Sequence, residues 1–331
     1  MFFAVFPYRL RSLAALLTLL MLSASLAACG ATPSGSTSGD ANAGIPSSEA
    51  AFPRTMTDDA GESITISVAP QRIVALTPAS VETLATLGLS DRVVGISECT
   101  CTPDALAAIP VVAGYEGVDL EKLIALEPDL VFVGGSGFTP ADAITAMRAA
   151  NLTVVTIDPK GVDGVYRTLR VIGDAVGASI PAAKLVASLR ADMARLTALI
   201  PAGARPKVFY EIDATSTIYG LAPDDYAAEL ITLAGGEPVT SGSAGVYEIA
   251  LETLVAAAPQ VILLGDAAYG TTAAAVAARP GWSALPAVAG GAIRPVDGDL
   301  VTTPGPRLAA AFAALIVAIN PAITVPVITS P

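Results

Sequence analysis

The chain has 331 residues, 53% of them apolar and 15% charged, which suffices for an ample core and suggests two domains rather than one. Its 30 acidic residues outnumber 18 basic ones, and the resulting net charge of −12 sets the folded chain against nucleic acid and anionic lipid surfaces. Histidine is absent, which removes a Ser-His-Asp triad, a His-ligated zinc or heme iron and any imidazole base from the available chemistry.

At the N-terminus the apolar run Leu13 to Ala28 follows Arg9 and Arg11 and ends in small residues, the layout of a secretory signal. Other apolar stretches do not suit a bilayer: Leu308 to Ile319 is too short, and Leu251 to Leu264 is broken by Pro259. Leu26-Ala27-Ala28-Cys29-Gly30 resembles the lipobox of bacterial lipoproteins, which implies removal of residues 1–28 and diacylation of Cys29 as the new first residue. Residues 29–50 then read as a flexible tether, rich in glycine, serine, threonine and alanine. Two acyl chains hold firmly at a membrane where one would not. Losing Arg9 and Arg11 takes the net charge from −12 to about −14.

Residues 54–67 read as a small hairpin with Asp58-Asp59-Ala60-Gly61 at the turn. Arg72 to Leu76 has a buried-strand pattern, and Thr77-Pro78-Ala79-Ser80 opens a helix that runs through Leu87 and stops at Gly88. The alternation continues with a strand at 93–96, helices at 103–108 and 120–126, a strand at 130–133, a helix at 140–150, a strand at 153–157 and a helix at 163–176. Residues 181–200 place Leu185, Leu189, Met193, Leu196 and Ile200 at the spacing of one helix face, with Pro181 in the first turn and Pro201 as the stop. At 1.5 Å per residue this helix spans roughly 30 Å. Past Pro201 the pattern restarts with a strand at 207–212, helices at 224–234 and 272–278, a strand at 292–296 and a last helix at 306–319.

Two stretches on either side of the long helix nearly repeat one another. At a constant offset of 131 residues, Leu120, Glu121, Leu123, Ala125, Pro128 and Gly134 recur as Leu251, Glu252, Leu254, Ala256, Pro259 and Gly265. A helix, a proline and a buried strand are a common junction in α/β proteins, but the match runs through sixteen positions without a gap and favours duplication. The expected fold is therefore α/β, with two similar lobes, each a parallel-type sheet covered by helices, joined by one long inter-lobe helix. The N-terminal lobe covers 51–180, the backbone helix 181–200 and the C-terminal lobe 201–331. Loops after the strands should face a cleft.

Asp119-Leu120-Glu121 with Pro128-Asp129-Leu130-Val131, Pro70-Gln71-Arg72-Ile73-Val74, Asp299-Leu300-Val301 with Pro304-Gly305-Pro306-Arg307, and the lipobox together resemble a solute-binding lipoprotein. The resemblance is to the helical-backbone class serving bacterial ABC importers of cobalamin, ferric siderophores and heme, and it covers residues 54 to about 320. It implies little hinge closure and a metal-chelate ligand held between the lobes. It also implies that Glu121 and Glu252 dock onto arginines of an ABC permease dimer, because a receptor meeting a two-fold permease needs equivalent contacts on both lobes. The protein is expected to act as a monomer held outside the cell membrane by its lipid anchor. It should carry no cofactor of its own, since the metal arrives inside the ligand.

Family members often place an aromatic ring in the loop before each docking glutamate, which selects Tyr115 and Tyr247 as ligand-binding candidates. Phe138, Tyr219 and Tyr269 follow strands and are weaker candidates, while Phe132 should be core and Trp282 should pack its own lobe. Asp299 and Arg307 either reach the cleft or cap a helix. Cys99-Thr100-Cys101 departs from the family, in some members of which an aromatic matches Cys99. These thiols either close a disulfide in an oxidising compartment or stay reduced against the ligand. Free zinc or manganese is disfavoured without histidine, and no arginine cluster stands ready for an anionic catecholate complex. A corrinoid or a less charged ferric siderophore remains, with heme behind them. The rival classes are an extracytoplasmic α/β enzyme and a structural surface lipoprotein. Against the enzyme, Gly134-Gly135-Ser136-Gly137-Phe138 has its second glycine one place early for a nucleophile elbow, and no histidine exists to activate the serine.

Overall fold

The computed structural model describes residues 51–330 except 100, 101, 115, 136 and 204. The signal, the tether and Cys29 lie outside the described residues, as do Tyr115 and Cys101.

The hairpin is β1 (Arg54–Thr57) and β2 (Ser63–Ile66), paired antiparallel. The N-terminal lobe follows with β3 (Ile73–Ala75), α1 (Pro78–Thr86), β4 (Val93–Ser97), β5 (Val111–Gly114), β6 (Gly117–Val118), α2 (Leu120–Ala125), β7 (Leu130–Gly134), α3 (Ala141–Ala149) and β8 (Val154–Ile157). Its six strands stand in the order β6-β5-β4-β3-β7-β8, parallel except for the β5–β6 pair. Alternate residues of the central strands serve opposite faces: Ile73, Ala75, Leu130 and Phe132 pack under α1, whereas Val74, Leu76, Val131 and Val133 pack with Leu123 of α2 and Met147 of α3. Burial on both faces is why these strands read as unbroken apolar runs.

Then come α4 (Gly161–Ala175) and α5 (Ser179–Thr197), and the C-terminal lobe with β9 (Lys207–Glu211), α6 (Tyr226–Leu233), β10 (Glu237–Val239), α7 (Leu251–Ala257), β11 (Val261–Leu264), α8 (Ala273–Ala277), α9 (Pro286–Ala289), β12 (Ile293–Pro295), α10 (Gly298–Thr302) and α11 (Leu308–Ile319). Its strands are ordered β10-β9-β11-β12, all parallel. Prolines 238 and 295 fall in the two edge strands, where a missing N–H costs no ladder bond.

At the junction between lobes the long helix α5 packs against α4. Gly177, at φ +76°, lets the chain reverse after α4. Gly173 of α4 sits so close to Ala182 of α5 that a side chain there would collide with it. Val162, Val165, Tyr166 and Leu169 in the first half of α4 belong to the core of the C-terminal lobe, together with Leu185, Leu189, Met193 and Leu196 of α5. Val171, Ile172 and Ala175 in the second half belong to the core of the N-terminal lobe. The hand-over from one core to the other thus falls within α4, ahead of the span 181–200. Two polar contacts reinforce it: Glu229 of α6 accepts from the Val162 N–H at 2.9 Å, and Arg307 forks onto Glu82 of α1.

The expected helix at 103–108 is only a 3₁₀ turn at Asp104–Leu106, and β5, β6 and β10, which are short, were not foreseen. Pro110 directly follows the turn and bars helical geometry at Ile109.

Candidate ligand-binding cleft

In a parallel sheet the crevice lies beyond the carboxyl ends of the strands. Here the loops leaving β3, β4, β7 and β8 face those preceding α6 and following β12, and together they enclose a cavity of about 490 Å³. The N-terminal lobe contributes Thr77 to Ala79, Cys99, Gly134, Gly135, Phe138 and Asp158 to Lys160; the C-terminal lobe contributes Asp224, Asp225, Tyr247, Asp299 and Thr302 to Pro304. Phe138 is 60% exposed and Tyr247 40% exposed, so each lobe offers the cleft a largely uncovered ring. Glycine is required beside Phe138 and Asp158. A Cβ on Gly134 would lie 2.7 Å from that of Phe138, and one on Gly135 would strike the Asp158 carboxylate.

The polar groups are tied into the scaffold. The Asp158 carboxylate pairs with the Lys160 ammonium at 3.1 Å. Asp224 accepts the Gly245 N–H at 2.9 Å, which fixes the loop that carries Tyr247. Asp225 caps α6 by accepting the Ala227 N–H at 2.7 Å, and it also accepts the Tyr247 hydroxyl. Burial raises the Asp225 carboxyl above its ordinary range, and the neighbouring Asp224 charge adds to the shift, against the two hydrogen bonds. Burial also pushes the Tyr247 phenol up to about 12, with the charges of Asp225, Asp224 and Asp158 acting in the same direction.

Of the residues anticipated for ligand contact, Cys99, Phe138, Tyr247 and Asp299 line the cavity. Tyr219 is 38% exposed but outside the lining; its backbone bridges to Asp213 and Glu248 and so braces the Tyr247 loop. Arg307 is also outside the lining, because the buried Glu82 carboxylate draws its guanidinium away. Tyr269, 72% exposed, lies outside it too. Phe132 is fully buried, and Trp282 packs edge-on against Phe209 beneath the Arg279 guanidinium, within its own lobe. Asp158, Lys160, Asp224 and Asp225 were not singled out. The first two follow a strand directly and could have been found from that position, whereas Asp224-Asp225 reads only as a helix cap.

Cys99 is disulfide-bonded, and the other two cysteines lie outside the described residues. Cys99 therefore presents a disulfide to the cavity instead of a thiolate ligand. The intact mass of the purified chain should rise by two hydrogens on reduction; free thiols before any reductant is added would remove the bond.

Glu121 and Glu252 occupy the first turns of α2 and α7, and both are exposed. Each helix runs back along the strand that follows it, since only 126–129 and 258–260 separate α2 from β7 and α7 from β11. Its N-terminus therefore sits at the carboxyl edge of its sheet, the edge that bears the cleft. Leu123, Pro128, Leu254 and Pro259, also part of the repeat, are buried beneath them.

A family model described as periplasmic binding protein matches residues 73–300. The uncharacterized ABC transporter substrate-binding lipoprotein YvrC of Bacillus subtilis is 33% identical over 262 residues, covering 78% of this chain and 82% of that protein. A cobalamin-binding protein of Halobacterium salinarum is 28% identical over 268 residues, 78% of this chain and 71% of the relative. Among solved structures, the periplasmic heme-binding protein BhuT with two hemes superposes with a TM-score of 0.68 at 30% identity, over 76% of this chain and 99% of its own. The vitamin B12-binding protein BtuF of Vibrio cholerae shares the fold, with a TM-score of 0.67 at 22% identity over 76% of this chain and 97% of its own. With a family match over well more than half of its length, two lobes and an open cleft between them, the chain belongs to the periplasmic binding protein family, as an extracytoplasmic solute-binding protein and not an enzyme.

Proposed function

We propose that this protein captures a metal chelate, a corrinoid or a ferric siderophore, between its lobes and delivers it to an ABC permease dimer while Cys29 anchors it to the outer face of the cell membrane. The observation that carries the reading is the cavity itself: about 490 Å³, open between two lobes, with Phe138 and Tyr247 exposed on opposite walls. Uncovered aromatic rings suit a large, partly apolar ligand, while the polar groups between them fix its orientation. The cobalamin-binding and heme-binding relatives support the class of ligand. Lobes clamped by α4, α5 and the Glu82–Arg307 pair fit a receptor that binds with little closure.

Calorimetric titration of the purified chain with cyanocobalamin and with a ferric trihydroxamate tests the reading. One of them should bind at 1:1 stoichiometry with a Kd in the micromolar range or below, and Tyr247→Ala should weaken it roughly tenfold, the order of one lost stacking contact of about 1.4 kcal/mol. Absence of heat from both ligands at high micromolar concentration would overturn the assignment.

A further inference from the structure

We infer that the cleft selects its chelate by charge, accepting neutral or cationic complexes whose periphery donates hydrogen bonds and rejecting complexes that carry peripheral carboxylates. The inference rests on the reading of the cleft as the chelate site and adds to it a class of ligand.

Ionisable side chains lining the cavity are strongly unbalanced. Among the described residues, Asp158, Asp224 and Asp225 line the cavity beside one cation, Lys160, which is already paired with Asp158 at 3.1 Å. Asp224 accepts the Gly245 N–H and Asp225 the Ala227 N–H, so carboxylates outnumber the one ammonium in this lining. The residue that would have corrected the imbalance, Arg307, lies outside the lining, with both ends of its fork taken by Glu82. An ionised carboxylate is acceptor-only, so a ligand facing these groups must bring donors: primary amides, hydroxyls or an ammonium. A ligand carboxylate would set acceptor against acceptor and charge against like charge, in a cleft where protein walls reduce screening. Burial is the main cause that raises the Tyr247 phenol, and the charges of Asp225, Asp224 and Asp158 add to it from the same wall. The two aromatic walls explain retention of a large ligand of any charge, and the acids then discriminate among such ligands.

Two ligand series with fixed scaffolds test this on the purified full chain. One is aquocobalamin, cyanocobalamin and a monocarboxylate derivative of cyanocobalamin, with net charges of about +1, 0 and −1 near neutral pH; the other is ferrioxamine B with its N-acetyl and N-succinyl derivatives, of the same three charges. In the series that binds, affinity should fall from cation to anion by roughly tenfold per unit charge, the order given by an effective dielectric constant near 20 at cleft distances. The spread should shrink as NaCl rises from roughly 20 to 500 mM. Asp224→Asn with Asp225→Asn, which keeps an oxygen to accept the Gly245 and Ala227 N–H groups, should flatten the series by improving the anion, and the wild-type series decides the matter alone if that variant does not fold. Equal affinities across charge, or tightest binding of the anion, would overturn the charge selection and leave the chelate reading standing. Failure of every member of both series to bind would remove the chelate reading and this inference with it.

Discussion

Chelate uptake through the importer should fall to background in cells whose receptor carries both Glu121→Ala and Glu252→Ala, while the purified double variant binds its ligand with unchanged affinity. Both carboxylates stand exposed in the first turn of a short helix, at the cleft-bearing edge of their lobes. Neither lines the cavity, so neither should affect ligand binding. Loss of a favourable charge at a helix N-terminus costs about 0.3–1 kcal/mol at each site, too little to unfold the chain. On the proposed docking role, the gain they offer lies in the encounter with the permease. One exposed carboxylate–arginine contact is worth little, but two held at a fixed separation on a rigid receptor set register and raise the association rate. Each single variant should therefore retain partial uptake, about tenfold reduced if one contact contributes about 1.4 kcal/mol, and the double variant none. Transport measured with radiolabelled ligand at equal receptor abundance checks this; wild-type transport by the double variant would end the docking role.

The repeat that locates these glutamates was legible because each of its members answers a local demand. Leu123 and Leu254 are buried beneath their helices, Pro128 and Pro259 end the helical run, and the glutamates suit the helix dipole. The recurring glycines answer a close approach: a side chain on Gly134 would meet Phe138, and one on Gly265 would meet the Tyr210 hydroxyl. Apolar runs buried on both sides likewise announce the parallel strands β7 and β11. What escaped the sequence depends on partners far along the chain. The three-residue β10 exists because β9 offers it a ladder, and Asp224 becomes a cleft residue only because the loop holding Gly245 folds back onto it. Arg307 was a fair ligand candidate by position, but its destination was decided by a glutamate 225 residues away.

That pair gives the second large effect. Arg307→Ala should lower the melting temperature by roughly 5–12 °C, the consequence of losing on the order of 3 kcal/mol in a chain of this size. Glu82 lies on α1 of the N-terminal lobe, with its side chain only 6% exposed; Arg307 stands just ahead of α11 in the C-terminal lobe, 33% exposed. Its Nε donates to Oε2 at 3.1 Å and its Nη2 donates to Oε1, a fork that joins the lobes behind the cleft lining. The Glu82 hydrogen bond, with its charge, raises the Arg307 guanidinium above its ordinary value. The two deletions should differ in size. Removing the arginine strands a carboxylate in a site that water does not reach, whereas removing the glutamate leaves a guanidinium that already touches solvent, so Glu82→Ala should cost less. A paired replacement, Glu82→Met with Arg307→Met, should recover most of the loss, because an apolar pair of similar volume requires no desolvation of charge. Calorimetric melting of the three variants measures all of this. If Arg307→Ala melts within a degree of wild type, the fork adds nothing to the junction, and the apolar faces of α4 and α5 alone hold the lobes at their separation.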